Sequence, residues 1–170
     1  MSERKREALL WQKIKRNIKN IFFTRIESST MNGIPDIHCV VNQRIFWIEL
    51  KSDYVSYPKL NKWQVVWINK YIKHGGIVII CKEALKEPAL KLYRPVSSFT
   101  DPRELKPRFE FSFPVQWPLV QDAFTELGAP VTSAALELRS RSRLKPRSRS
   151  PKRVRIASAA SNRLRAVTFG

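Results

Sequence analysis

Apolar residues along this chain recur with two different periods. Leu10, Ile14 and Ile18 return at four-residue steps, with Trp11 and Ile21 extending the stripe, which predicts an amphipathic helix over residues 3–20. The stretch IFFTRIES (21–28) is rich in β-branched and aromatic residues and predicts a strand, broken by STMNG (29–33). PDIHCVV (35–41) and RIFWIELK (44–51) predict two further strands, joined by a tight hairpin turn at Asn42-Gln43. After the loop SDYVSYP (52–58), Leu60, Trp63, Trp67, Ile68, Tyr71 and Ile72 form one broad apolar face, predicting a second helix over 59–74. Lys73 and His74 suit its last turn, and Gly75-Gly76 ends it. IVIIC (77–81) is a continuous apolar run of strand length and reads as a buried strand, with LKLYR (90–94) as a last edge strand.

Helix, three strands, helix, strand is the order of an α/β protein with a mixed sheet flanked by helices. Beyond Arg94 the pattern thins. Phe109, Phe111 and Phe113 alternate in FEFSFPVQW (109–117) like a half-exposed strand, while LVQDAFTEL (119–127) and TSAALEL (132–138) read as short helices. The segment RSRSRLKPRSRSPKRVR is low in complexity and holds too little apolar surface to order itself. The expected organisation is a main domain over 1–95, an extension over 96–138, and a poorly ordered Arg/Ser-rich tail over 139–170.

Charge changes the picture from fold to partner. The formal net charge is +18 over 170 residues. Residues 1–100 carry +10, residues 101–138 carry −3, and residues 139–170 carry +11 with no acid at all. Such a chain is expected to bind polyanions, nucleic acid before anionic membrane. A role at a membrane surface ranks last, because the basic tail lacks an amphipathic stripe with large apolar anchors. The longest purely aliphatic stretch, 77–80, falls far short of the ~20 residues of a spanning helix. The N-terminus lacks the apolar core of a signal peptide. Cys39 and Cys81 sit inside apolar runs, read as reduced and buried, and are too few for a zinc site. The expected location is intracellular: cytoplasmic or nucleoid-associated, or nuclear in a eukaryote, where PKRVR could serve as a signal.

Against this basic background, the placement of three charges in MNGIPDIHCVVNQRIFWIELKSD (31–53) calls for a reason. If Asn42 and Gln43 form the turn, Val41 faces Arg44 and Asp36 lies opposite Glu49. Directly opposed strand residues have Cβ atoms ~5 Å apart, where two carboxylates repel. A divalent cation removes the conflict, since Mg²⁺ takes one or two carboxylates with waters and phosphate oxygens. Lys51 falls on the same face as Glu49, placed to touch a water or phosphate beside the metal. The plainer alternative is a structural ion pair at a sheet end, Asp36–Lys51 or Glu49–Lys51. An acid followed later by acid-x-Lys arises readily by chance in a chain that is 27% charged.

GIPD (33–36), followed thirteen residues after Asp36 by ELK (49–51), resembles the PD-(D/E)XK nuclease superfamily, and within it the VRR-NUC (virus-type replication-repair nuclease) branch. TRIES before the motif and WQVVWINKYIKHGGIVIIC (63–81) after it are similar to that family's pattern, and the likeness covers about residues 5–94. The resemblance implies a restriction-endonuclease-like fold, with residues 1–95 as the nuclease domain and metal-dependent cleavage of phosphodiesters. Asp36 and Glu49 match the metal-binding acids, Lys51 matches the catalytic lysine, and the carbonyl of Leu50 is the further ligand expected of such a site. An acid from the first helix is also implied, Glu7 on its inward face or Glu3 one turn earlier; an acid there equally suits the helix N-terminus. Gln64, on the inward face of the second helix, borders the site by the same likeness or is simply a hydrogen-bonded helix residue.

The expected activity is therefore Mg²⁺- or Mn²⁺-dependent hydrolysis of DNA, selective for branched or flapped structure, in replication, recombination or repair. Arg44, Lys59 and Lys62 are candidate phosphate contacts, joined by Arg139, Arg141 and Arg143 of the tail. His38, His74, Trp47, Trp63 and Trp67 fit structural roles better than chemical ones. DNA versus RNA, and monomer versus homodimer, stay open. The rival reading is a nucleic-acid-binding protein without catalysis, on a decayed nuclease scaffold led by its basic tail.

Overall fold

The computed structural model describes residues 1–27 and 32–130. The four-residue stripe forms α1 (Glu3–Asn17), which buries Leu10, Trp11 and Ile14. Ile18 and Ile21 are also buried, but Ile18 is already extended, so the helix stops short of residue 20. The strands are β1 (Phe22–Arg25), β2 (Ile37–Val41) and β3 (Arg44–Asp53). Helix α2 (Lys62–Lys73), strands β4 (Val78–Ala84), β5 (Ala89–Tyr93) and β6 (Phe109–Ser112), and helix α3 (Trp117–Leu127) follow.

All six strands form one mixed sheet in chain order. Neighbours are antiparallel except β3 and β4, which run parallel and therefore need a crossover, supplied by α2. The β2–β3 turn places Asn42 at φ 49° and Gln43 at φ 61°, two successive left-handed residues. That is the geometry of a two-residue hairpin turn matched to strand twist. Its register runs from Val41↔Arg44 to Ile37↔Ile48, as read from the sequence.

Alternation along β3 divides the core. Phe46, Ile48 and Leu50 join the cluster containing Leu10 and Ile14 of α1 and Val120, Phe124 and Leu127 of α3. On the opposite face Trp47 packs with Ile68, Trp67 and Tyr71 of α2 and with Val78 and Phe99. Asn69 clamps the backbone of Phe99 from both sides, accepting from its N–H at 3.1 Å and donating to its carbonyl at 2.6 Å. Cys39 and Cys81 are buried free thiols.

Three features depart from the apolar pattern. β5 is an interior strand, because β6 pairs along it from Leu92↔Phe109 to Ala89↔Ser112 and takes the edge. Trp63 is 54% exposed rather than part of the buried face: α2 starts only at Lys62, and in its first turn it is Gln64 that faces β3. β3 and β4 also run on through charged residues to Asp53 and Ala84. The expected helix at 132–138 and the tail 139–170 lie outside the described residues. Among the described residues no helix is long and apolar enough to cross a membrane.

Candidate active site

The hairpin register sets the site. One step past Ile37↔Ile48, Asp36 stands across from Glu49, and its Oδ2 accepts the Leu50 N–H at 2.7 Å. Glu49 is only 1% exposed. Lys51, two residues on along the same face of β3, places Nζ 2.7 Å from Glu49 Oε1 and 3.5 Å from Glu7 Oε1. Glu7 comes from the first half of α1, one turn before the buried Leu10 and Trp11. Glu3, the alternative acid, lies further out and pairs with Lys59 at 3.5 Å.

Gln64 completes the cluster through α2. Asn61 caps that helix, its side chain accepting from Trp63 N–H at 2.9 Å and Gln64 N–H at 3.0 Å. The Gln64 carbonyl oxygen accepts the Asn61 N–H at 3.0 Å, while its amide nitrogen donates to Glu49 Oε1. A capping box accepts either Glu or Gln at this position. Only the amide both closes the box and donates to a carboxylate, so the cap and the site together select glutamine.

Three carboxylates thus surround one ammonium. Burial raises the Glu49 pKa to about 8; Lys51 pulls it down and Asp36 and Glu7 push it further up. Burial likewise raises Asp36, against the Leu50 N–H, Lys51 and Arg25, and raises Glu7, against Lys51 but with Asp36. Burial disfavours the charge on Lys51, but Glu49, Glu7 and Asp36 outweigh it and hold its pKa above the ordinary lysine range. The surplus of negative charge is what a cation would relieve.

Two open clefts meet at Arg4 and Glu7. One, of about 410 Å³, is lined by Lys51, Lys59, Asn61 and Gln64. The other, of about 720 Å³, is lined by Arg25, Gly33, Asp36 and Leu50. The donor set fits a hard cation in part. Asp36 and Glu49 supply two carboxylates, but among the described residues no group of three or more His, Cys, Asp or Glu is arranged to hold a metal. A metal here would complete its shell with water and phosphate oxygens, which is how Mg²⁺ usually binds.

Gly33 fixes the loop that presents Asp36. Its φ is +86°, and a Cβ there would lie 2.3 Å from the Trp63 carbonyl oxygen. Gly33→Ala is therefore expected to cost about 2–4 kcal/mol, from strain plus a clash with backbone that cannot yield. Urea unfolding checks this; an unchanged midpoint would remove Gly33 from the account.

Of the sequence candidates, Asp36, Glu49, Lys51, Glu7, Gln64 and the backbone of Leu50 come together. Lys59 lines the smaller cleft. Lys62 is exposed and lies over the Trp63 ring, 5.7 Å from its centroid. Arg44 does not join them. It begins β3 beside the hairpin turn, five residues and about 16 Å of strand from Glu49. Arg139, Arg141 and Arg143 lie outside the described residues. The pattern of the chain did not single out Asn61, Asp53 or Lys82; for Asn61 the Asn-x-x-Gln spacing before an apolar run was an available signal. Comparison with family models and with curated proteins finds no match to this chain.

Proposed function

We propose that this chain is a Mg²⁺- or Mn²⁺-dependent nuclease of the PD-(D/E)XK type, of the VRR-NUC branch, on a restriction-endonuclease-like fold. The observation that carries the reading is the joining of half-buried Asp36 with buried Glu49 and Lys51 in one cluster beside two open clefts. The helix–three strands–helix–strand order, with α2 crossing between parallel β3 and β4, supports the fold assignment.

Asp36 and Glu49 would hold the metal, with the Leu50 carbonyl as a further ligand. When bound, the metal supplies a Lewis acid that activates water and neutralises charge on the phosphate. Lys51 orients the attacking water and stabilises the charge that builds on the phosphoryl oxygens. Gln64 holds Glu49 in place, and Glu7 keeps the Lys51 ammonium charged and directed into the cleft. Lys59 and Arg25 line the clefts where the sugar–phosphate path would run. The eleven bases of residues 139–170 add affinity without regard to sequence. The substrate proposed is branched or flapped DNA met in replication, recombination or repair.

The same eleven bases favour a second reading, a nucleic-acid-binding protein without catalysis. Incubation of the full chain with branched, single-stranded and duplex DNA in Mg²⁺, Mn²⁺ or chelator separates the two. Cleavage that requires the metal is expected. Tight binding with no cleavage of any DNA or RNA form would favour the binding protein.

A further inference from the structure

The charged row does not end at Lys51. In the parallel register Lys51 faces Lys82 of β4, and Lys82 faces Lys91 of β5. Three lysines therefore stand side by side on one face of the sheet, with adjacent strands ~4.8 Å apart. Each holds a different carboxylate. Lys51 takes Glu49 at 2.7 Å, Lys82 takes Asp53, and Lys91 takes Glu110 at 3.0 Å. Lys82 is fully buried, and Asp53 is 5% exposed. Buried charges need partners, so this assignment of partners is not incidental.

Lys51 has two carboxylates on its own strand face, Glu49 two residues before it and Asp53 two residues after. Each is ~7 Å along the strand, within reach of a lysine stem. Asp53 Oδ1 is taken by Lys82 and by the Val55 N–H at 3.0 Å, but Oδ2 has no partner. An unsatisfied buried carboxylate oxygen attracts any ammonium that can reach it. Lys82, of the same charge and already paired with Asp53, is the direct cross-strand neighbour of Lys51.

We propose that Lys82 is a positioning residue: by occupying Asp53 and repelling the neighbouring ammonium, it directs Lys51 to Glu49 and Glu7. The link from this bond to catalysis rests on the nuclease reading above; the bond itself does not. Without Lys82, the buried charge on Asp53 captures Lys51, and the cluster at Glu49 loses the ammonium it holds. The Lys82–Asp53 pair is then a device of specificity rather than of stability, since replacing both members of a buried pair by apolar groups is often neutral or stabilising.

The test compares Lys82→Met with Lys82→Met/Asp53→Leu. Nitrogen-15 spectra of the lysine ammonium groups, correlated to the carboxylates they touch, read the partner of Lys51 directly. In Lys82→Met, Lys51 is expected to shift from Glu49 to Asp53, and cleavage to fall on the order of a hundredfold, as for a misplaced catalytic group. In the double variant Lys51 is expected back on Glu49, with cleavage within about tenfold of wild type, a strongly non-additive result. Should Lys82→Met not fold, Lys82→Gln replaces it and is expected to give the same shift in smaller measure. A Lys51–Glu49 contact unchanged in the single variant, or a folded double variant as inactive as the single, overturns the proposal. If the wild-type protein cleaves nothing, the nuclease reading fails, and the spectra still decide which carboxylate Lys51 holds.

Discussion

Replacing Lys51 with alanine is expected to slow cleavage by on the order of a hundredfold or more, about the ~3 kcal/mol that one transition-state-stabilising group supplies. DNA affinity should change little, because one lysine among 32 basic residues is a small part of the electrostatic attraction. The geometry sets the two effects apart. The Lys51 ammonium sits against Glu49 and Glu7 at the wall of a cleft rather than on the outer surface. A purely structural ion pair predicts a different pattern, in which activity falls only as the folded fraction falls. Single-turnover cleavage and DNA affinity with metal at mildly alkaline pH, where Glu49 can ionise to bind it, together with melting temperature in chelator at pH 6, separate the outcomes. At pH 6 Glu49, with its pKa raised to about 8, takes up a proton, so loss of Lys51 does not strand a buried charge. Wild-type cleavage by folded Lys51→Ala would remove Lys51 from the mechanism.

How much of this was legible depends on how far apart in the chain the interacting residues lie. The Asp36–Glu49 juxtaposition was legible because it is local. A two-residue turn fixes every partner in a hairpin, and Asn42 and Gln43 adopt the backbone such a turn needs. Gln64 was legible as facing inward, but its choice over glutamate was not, because that depends on a cap and on a carboxylate fifteen residues away at once. The role of Gly33 was hidden for the same reason: the atom it must avoid is the carbonyl of Trp63. Lys82 and Asp53 were missed because strands were read from apolar runs, and those runs stop at Lys51 and Cys81. The strands continue through charges that pay for their burial by pairing across β3 and β4, which no period in the sequence encodes. β5 was taken for an edge because the strand that covers it lies sixteen residues further on, past an irregular stretch.

Glu49→Gln is the substitution expected to change the response of the protein to metal and to pH most. Glu49 is raised by burial to about 8 from an ordinary value near 4.5, so the folded protein holds a proton there that the unfolded chain has lost. Between those two values the native state binds more protons than the unfolded state, and stability therefore falls as pH rises. At pH 5 the native state keeps its proton and the unfolded chain about a quarter of one, a difference worth less than ~1 kcal/mol, so glutamine, of nearly the same shape, should change the melting temperature little. At pH 9 the wild-type protein must bury an ionised carboxylate beside Asp36 and Glu7, and the variant does not. In chelator, Glu49→Gln is thus expected to become more stable than wild type as pH rises, by on the order of a few kcal/mol at pH 9. Metal should narrow that gap and offset it at high concentration, because a cation that binds only the folded state adds ~2.7 kcal/mol at a hundred times its dissociation constant and ~4.1 kcal/mol at a thousand times. With Mn²⁺ the wild-type melting temperature should climb, most steeply at the pH where chelator lowers it, while Glu49→Gln stays where it was and does not cleave. Melting curves of both proteins at pH 5, 7 and 9, with Mn²⁺ or chelator, make the comparison. A wild-type melting temperature that Mn²⁺ leaves unmoved at every pH would show that the charge surplus around Glu49 is not there to receive a cation.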